Sequence, residues 1–258
     1  MIIETKAKEA ASEIITELKI KHPSEIRVEL IAQHLGATVS YAPLRSAAGR
    51  LVRSGKRAII TIPDDVFNEG RRRFSIGHEL GHFILHEDII DYVMCSIQDM
   101  MDWRGNRKME TEANYFSGEL LMPFDFFFPR CVRKEANMKL IKELAGDFRT
   151  SLTATAVRYI HVTKEPCALI YCVDGKIEWF IKNQADFKYL IKNRGQDVDK
   201  ESLAYESFQS NENFEGGFSV PASAWIESDH LFNEDLKFIE STCCLPSLNA
   251  TLTLLWEN

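Results

Sequence analysis

Residues 78 to 87 read HELGHFILHE, three histidines and two glutamates in ten positions of an otherwise apolar run. Imidazoles and carboxylates bind transition metals and move protons near neutral pH, so their density here suggests a metal site. On a helix His78 and His82, four residues apart, project from one face about one turn apart, a spacing that suits two nitrogens on one zinc ion. Glu79 is close enough to hydrogen-bond a water at such an ion without ligating it, so HExxH supplies two ligands and a general base. A solvated helix face is the alternative, and it conflicts with the apolar neighbours Leu80, Phe83, Ile84 and Leu85. Burying two histidines and a glutamate without partners would be costly.

Catalytic zinc needs a third protein ligand and an open position. Downstream, in METEANYFSGELLMP, Glu110, Ala113, Asn114, Ser117 and Leu121 form one stripe of a second helix, with small residues that would let it approach the first closely. Glu110 can complete a His2Glu set, and Asn114, one turn later, can hold a ligating histidine by its free ring nitrogen. Glu112 points about 200° around that helix and reads as a solvated first-turn acid, as does Glu119. His86 lies one turn beyond His82, but about 12 Å of straight helix separates it from His78, so it reads as a supporting or helix-end residue. Glu112 or His86 in place of Glu110 stays open as a ligand. Tyr115 and Arg73 are candidates to steady developing negative charge, weighed against packing and salt-bridge roles.

The elements that must position these residues are legible from periodicity. AKEAASEIITELKI is an amphipathic helix, and EIRVELIAQHLGATVSYAP a second helix ending near Gly36 and then a strand. GRLVRSGKRAIITI reads as a hairpin around Ser54-Gly55, leading into a helix with Asn68 as N-cap and Phe74, Ile76, Phe83 and Ile84 for packing. The 27 residues between His82 and Glu110 include DYVMCSIQDMMDWRG, long for a connection and a candidate rim or lid over a cleft. Phe124, Phe126, Phe127 and Phe128 read as core. IKELAGDFRTSLTATAVRYI has the form of a helix-turn-helix. CALIYCVDGKIEWFIKN is a hairpin around Asp174-Gly175, GGFSVPASAWIE and NATLTLLWEN are strand-like, and the polar stretch from Asn193 to Gly217 reads as flexible.

The chain has 258 residues, 45% of them apolar, and a net charge of −7, which speaks against a dedicated nucleic-acid binder; Arg149, Thr150 and Arg158 are a minority candidate for DNA contact. Six scattered cysteines without a CxxC pair read as reduced core thiols, including Cys167, Cys172, Cys243 and Cys244, for which a metal or redox cluster is the lesser alternative. No apolar run is long enough for a membrane span, and a cytoplasmic protein is expected.

RRRFSIGHELGHFILH followed by ETEANYFSGELLMP closely resembles the ImmA/IrrE family of zinc metallopeptidases, with an RxxFxxxHExxH helix and an ExxANxFxxxLLxP helix. The resemblance spans roughly residues 25 to 160. It implies His78, His82 and Glu110 as zinc ligands, Glu79 as catalytic base, and a helix-turn-helix repressor or related regulator as protein substrate. The expected fold is α+β: a zincin-like helical peptidase domain with a small sheet over residues 1–128, a helix-turn-helix-like segment over 129–164, and a C-terminal α/β or mostly β sensor or interaction domain over 165–258, where some relatives carry a GAF-like domain. The competing function is a non-proteolytic metal-binding module that binds a transcription factor or DNA.

Overall fold

The computed structural model describes residues 2–44, 47–86, 92–96, 108–132, 134–183, 187–227 and 235–257, the side chains of residues 2–4 excepted. The fold is mixed α+β, with eight α-helices and two sheets among the described residues. It divides into two compact units, one of residues 1–129 with 145–154, the other of residues 130–144 with 155–258. Residues 129–164, expected as one helical segment, are thus shared between the two units.

In the first unit, α1 (Ile2–Glu17) buries Ala7, Ala11, Ile14 and Ile15, and α2 (Val28–His34) leads into β1 (Ala37–Ala42). The expected hairpin is present as β2 (Gly49–Ser54) and β3 (Arg57–Pro63). Its tight turn is Gly55-Lys56, one residue later than expected, because Ser54 pairs with Arg57 and Gly55 takes a φ of +58° that a side chain would oppose. β1 joins β3 in parallel, and a fourth strand, β4 (Tyr92–Cys95), pairs antiparallel with β2, giving the order β1-β3-β2-β4. β4 falls in the stretch expected as a rim; the rest of that stretch, apart from Ser96, lies outside the described residues.

Helix α3 (Glu69–Leu85) begins at Asn68, whose side chain accepts a bond from the Arg71 backbone at 2.9 Å, as the capping pattern predicts. The helix lies on the inner face of the sheet and against α4 (Lys108–Leu121). Small residues set the α3–α4 approach. A Cβ at Gly77 would come within 2.5 Å of Ser117 Oγ, one at Gly81 within 3.0 Å of Ala113 Cα, and Ser117 donates to the Phe74 carbonyl at 2.9 Å. Glu119, expected in solvent, is buried and accepts a bond from the Phe124 amide at 2.8 Å. It satisfies an otherwise orphaned donor at the start of α5 (Phe124–Cys131), where a free carboxylate has more to gain than it loses by burial. Of the phenylalanine cluster on α5, Phe127 is fully buried against Phe148, whereas Phe124 is 46% exposed.

α6 (Met138–Phe148) and α7 (Leu152–Val162) follow, joined by a turn in which Arg149 has a φ of +54°, in keeping with the expected helix-turn-helix form. Of the three residues weighed for DNA contact, Thr150 and Arg158 are buried and Arg149 pairs with Glu69.

The second unit is built on a five-stranded antiparallel sheet in the order β6-β5-β9-β8-β7. β5 (Cys167–Val173) and β6 (Lys176–Lys182) form the predicted hairpin, with both Asp174 and Gly175 at positive φ. β7 (Phe214–Pro221) and β9 (Ala250–Glu257) match the two expected strands, and β8 (Lys237–Leu245) lies between them. The polar stretch expected to be flexible carries a helix, α8 (Leu203–Ser210), capped by the Ser202 side chain and packed on β8. Its core gathers Ile170, Phe187, Tyr189, Val220, Trp225 and Phe238. Cys167, Cys172 and Cys243 are buried free thiols; burial pushes the first two up to about 12, as core thiols behave. No helix of the described residues is long and apolar enough to cross a membrane.

Candidate metal centre

The close α3–α4 contact carries Glu110, in the first turn of α4, over the histidine face of α3. His78 Nε2 lies 3.1 Å from Glu110 Oε2, His82 Nε2 lies 3.4 Å from the same oxygen, and the two nitrogens are 3.1 Å apart. Both imidazoles are fully buried, while the Glu110 side chain keeps 15% of its surface exposed.

The outer ring nitrogens decide what the inner ones can do. With Asn114 Oδ1 as acceptor at 2.9 Å, His78 carries its proton on Nδ1 and presents a lone pair at Nε2. His82 is held by a longer relay: its Nδ1 is 3.1 Å from His86 Nδ1, and His86 Nε2 is 2.8 Å from Glu112 Oε2. Burial lowers the His86 pKa, against the pull of Glu112, and favours a neutral ring. That ring donates from Nε2 to the carboxylate, so its Nδ1 accepts from His82 Nδ1–H and His82 Nε2 is also a bare lone pair. Two nitrogen lone pairs and a carboxylate oxygen therefore converge with no hydrogen between them, an arrangement that a cation makes favourable.

The spacing fits zinc. Ligand bonds of about 2.0 to 2.2 Å around a tetrahedron place neighbouring nitrogen and oxygen ligands about 3.3 to 3.5 Å apart, within a few tenths of the separations above. Burial alone would raise the Glu110 carboxyl, and positive charge at this place, whether an imidazole proton or a cation, holds it well below the usual carboxylate range and ionised.

Glu79 is fully buried, and neither carboxylate oxygen has a partner in hydrogen-bonding geometry. Desolvation pushes the group up to about 7, against the opposing pull of His82 and of the Cys95 thiol, which approaches more loosely. Gly49 on β2 makes the space: a Cβ there would lie 2.3 Å from Glu79 Oε1. A buried carboxylate with two free oxygens beside a three-donor cluster is placed to hold a water or a transferred proton.

The other candidates are placed elsewhere. Arg73 is buried and donates to the Ile26 carbonyl at 3.0 Å, and Tyr115 lies under the Lys8 ammonium, 5.8 Å from its ring centre. Neither is brought to the cluster. Glu112, expected in solvent, is instead buried as the anchor of the His86 relay, which reaches it from the end of α3. Cys95, read as an ordinary core thiol, stands 3.5 Å from His82 Nε2; His78, His82, Cys95 and Glu110 offer donor atoms within 4.8 Å of one another. The four residues YVMC carry too little periodicity to have shown it; the register with β2 turns Val93 and Cys95 to one face.

The relay gives a prediction. Glu112→Ala should free His86 and, through it, the His82 ring, weakening zinc affinity by about 10- to 100-fold while leaving one equivalent bound at saturation. Competition against a chromophoric chelator reads this, and unchanged affinity would show that His82 needs no such support.

Residues 32–159 match the family model described as an IrrE N-terminal-like domain, Peptidase_M78. No curated protein matches the chain at a significant level. Among solved structures the chain is similar to a Mycobacterium tuberculosis transcriptional regulator, with a TM-score of 0.63 and 15% identity over 98% of this chain and 76% of that one, a likeness of fold. The family match encloses β1 to β4 and both helices of the donor cluster, so residues 32–159 are a domain of the ImmA/IrrE family.

Proposed function

We propose that the protein is a zinc-dependent endopeptidase that cleaves a helix-turn-helix repressor or a related regulator. The observation that carries this reading is Glu79, whose two partnerless, fully buried carboxylate oxygens stand beside the converging donors of His78, His82 and Glu110. A purely structural metal site has no use for such a group.

His78, His82 and Glu110 would hold the ion, with Asn114 and the His86–Glu112 pair fixing the two rings. When bound, zinc supplies a Lewis acid that polarises a peptide carbonyl and acidifies water. Glu79 accepts the proton of the attacking water and delivers it to the leaving amide nitrogen. A cation held by His78, His82 and Glu110 would favour the ionised form of Glu79 and offset the burial that raises it. The regulator as substrate is supported by the family membership, and by the fold shared with a protein named as a transcriptional regulator.

The test is incubation of the zinc-loaded protein with a candidate helix-turn-helix repressor, followed by mass spectrometry of the products. A single defined cut is expected, abolished by a chelator and restored by zinc. A repressor that is bound but left intact would favour the non-proteolytic module instead, and a protein that holds no zinc would sink both.

A further inference from the structure

Three protein ligands and an open position make a catalytic zinc site; four protein ligands make a closed one. Building on the metal reading above, we propose that the Cys95 thiolate is a fourth protein ligand, so that the resting site is closed and the chain is held as a latent enzyme.

The sheet aims the sulfur. Cys95 pairs with Gly49 and Val93 with Leu51, and paired residues of an antiparallel ladder share a face, here the inner one that carries buried Leu51 and looks onto α3. The Cys95 carbonyl accepts from the Ala48 amide at 2.8 Å, which fixes the backbone at this end of β4. Because Gly49 has no side chain, Glu79 fills the space above it, and Cys95, its neighbour across the ladder, meets both Glu79 and the donor cluster.

Distances single out a ligand rather than a bystander. His82 Nε2 is 3.1 Å from His78 Nε2, 3.4 Å from Glu110 Oε2 and 3.5 Å from Cys95 Sγ. A tetrahedral ion with a zinc–sulfur bond of about 2.3 Å separates sulfur from a neighbouring nitrogen by about 3.6 Å. The edges from His82 to Glu110 and to Cys95 thus have the lengths of one tetrahedron, and the edge to His78 is shorter by about 0.3 Å. At 1% exposure the thiol is also enclosed with the other donors, where a thiolate without a cation would be strongly disfavoured.

Closure has a consequence for activity. Peptide and water reach the ion only when the sulfur withdraws and leaves its position vacant. β4 is four residues long and forms the edge of its sheet among the described residues, so moving it disturbs one ladder rather than two. Reagents that cap the thiol, or a partner that pulls β4 from β2, would therefore switch cleavage on.

X-ray absorption at the zinc edge of the full, zinc-loaded chain tests this without any variant. One sulfur neighbour at about 2.3 Å beside a nitrogen and oxygen shell near 2.0 to 2.2 Å is expected. Cys95→Ser should lose that sulfur while keeping one equivalent of zinc, and the cobalt-substituted protein should lose its thiolate-to-cobalt charge-transfer absorption in the same variant. Cys95→Ala should cleave faster than wild type under reducing conditions. A zinc-loaded wild type with only nitrogen and oxygen neighbours, or a sulfur signal that persists in Cys95→Ser, overturns the ligation and leaves the peptidase reading standing. An Ala variant no faster than wild type overturns the latency, and a wild type that binds no zinc overturns both this inference and the metal reading.

Discussion

Glu79→Gln should lower the rate of cleavage by about 10²- to 10⁴-fold, the range that positioned general-base catalysis contributes, while zinc stoichiometry and affinity stay at the wild-type level. Glutamine has the shape of glutamate and fits the space left by Gly49, where a single added carbon would already collide with the Glu79 carboxylate. It cannot take a proton. Because Glu79 makes no conventional hydrogen bond within the protein, and glutamine keeps an acceptor oxygen for the looser approach of the Cys95 thiol, the variant should fold as the wild type does. Initial rates on the repressor, measured together with bound zinc and a thermal melt, separate loss of chemistry from loss of structure. Full turnover with zinc normally bound would remove Glu79 from the role of base.

How far the site could be read from sequence depends on how locally each position is determined. His78, Glu79 and His82 share one helix, where four-residue spacing fixes their mutual geometry whatever surrounds them. Glu110 and Asn114 required a second helix, but the small residues around them predicted the close approach that Gly77 and Gly81 complete from the other side. Cys95 had no such advantage. A four-residue edge strand carries little periodicity, and its facing depends on the register with β2, which is settled 46 residues away in sequence at Gly49. Glu112 and Glu119 were misread for a related reason: the angle around one helix says nothing about which further element covers it, and both proved to be covered.

The fold shows the same division. Hairpins with strong turn chemistry, Gly55 in one and Asp174-Gly175 in the other, were legible to within a residue. β8 was not, because KFIESTCCL places a charged residue, Glu240, where an inward-facing strand position normally carries an apolar one. α8 was missed because the residues before it are polar and its start is stabilised by that same distant glutamate, in addition to Ser202. Both misreadings thus trace to one buried carboxylate.

Glu240→Ala should destabilise the second unit by about 4 kcal/mol, the cost of leaving several buried donors without their acceptor at once. Glu240 is fully buried and accepts four hydrogen bonds: from the Leu203 and Ala204 amides at 3.2 and 2.8 Å, from Trp225 Nε1 at 2.8 Å and from Thr242 Oγ1 at 2.9 Å. It thereby joins the first turn of α8, the central tryptophan of the core and its own strand. Alanine leaves all four donors without a partner in a site closed to water, and against a total stability of roughly 5 to 15 kcal/mol that is a large share. A fall of roughly 20 °C in the melting temperature of this unit follows. Glu240→Gln, which keeps one acceptor oxygen and turns an amide group towards the remaining donors, should fall between alanine and wild type. Burial raises the Glu240 pKa, although its four donors pull it back. A raised folded-state pKa means a contribution fully present below the unfolded value and lost as pH climbs through the folded one. The margin of wild type over Glu240→Ala should accordingly narrow as pH rises from acid towards neutrality. Melting followed by tryptophan fluorescence across that range reads both effects, and an alanine variant that melts with the wild type would show that the four bonds do not hold α8 to its sheet.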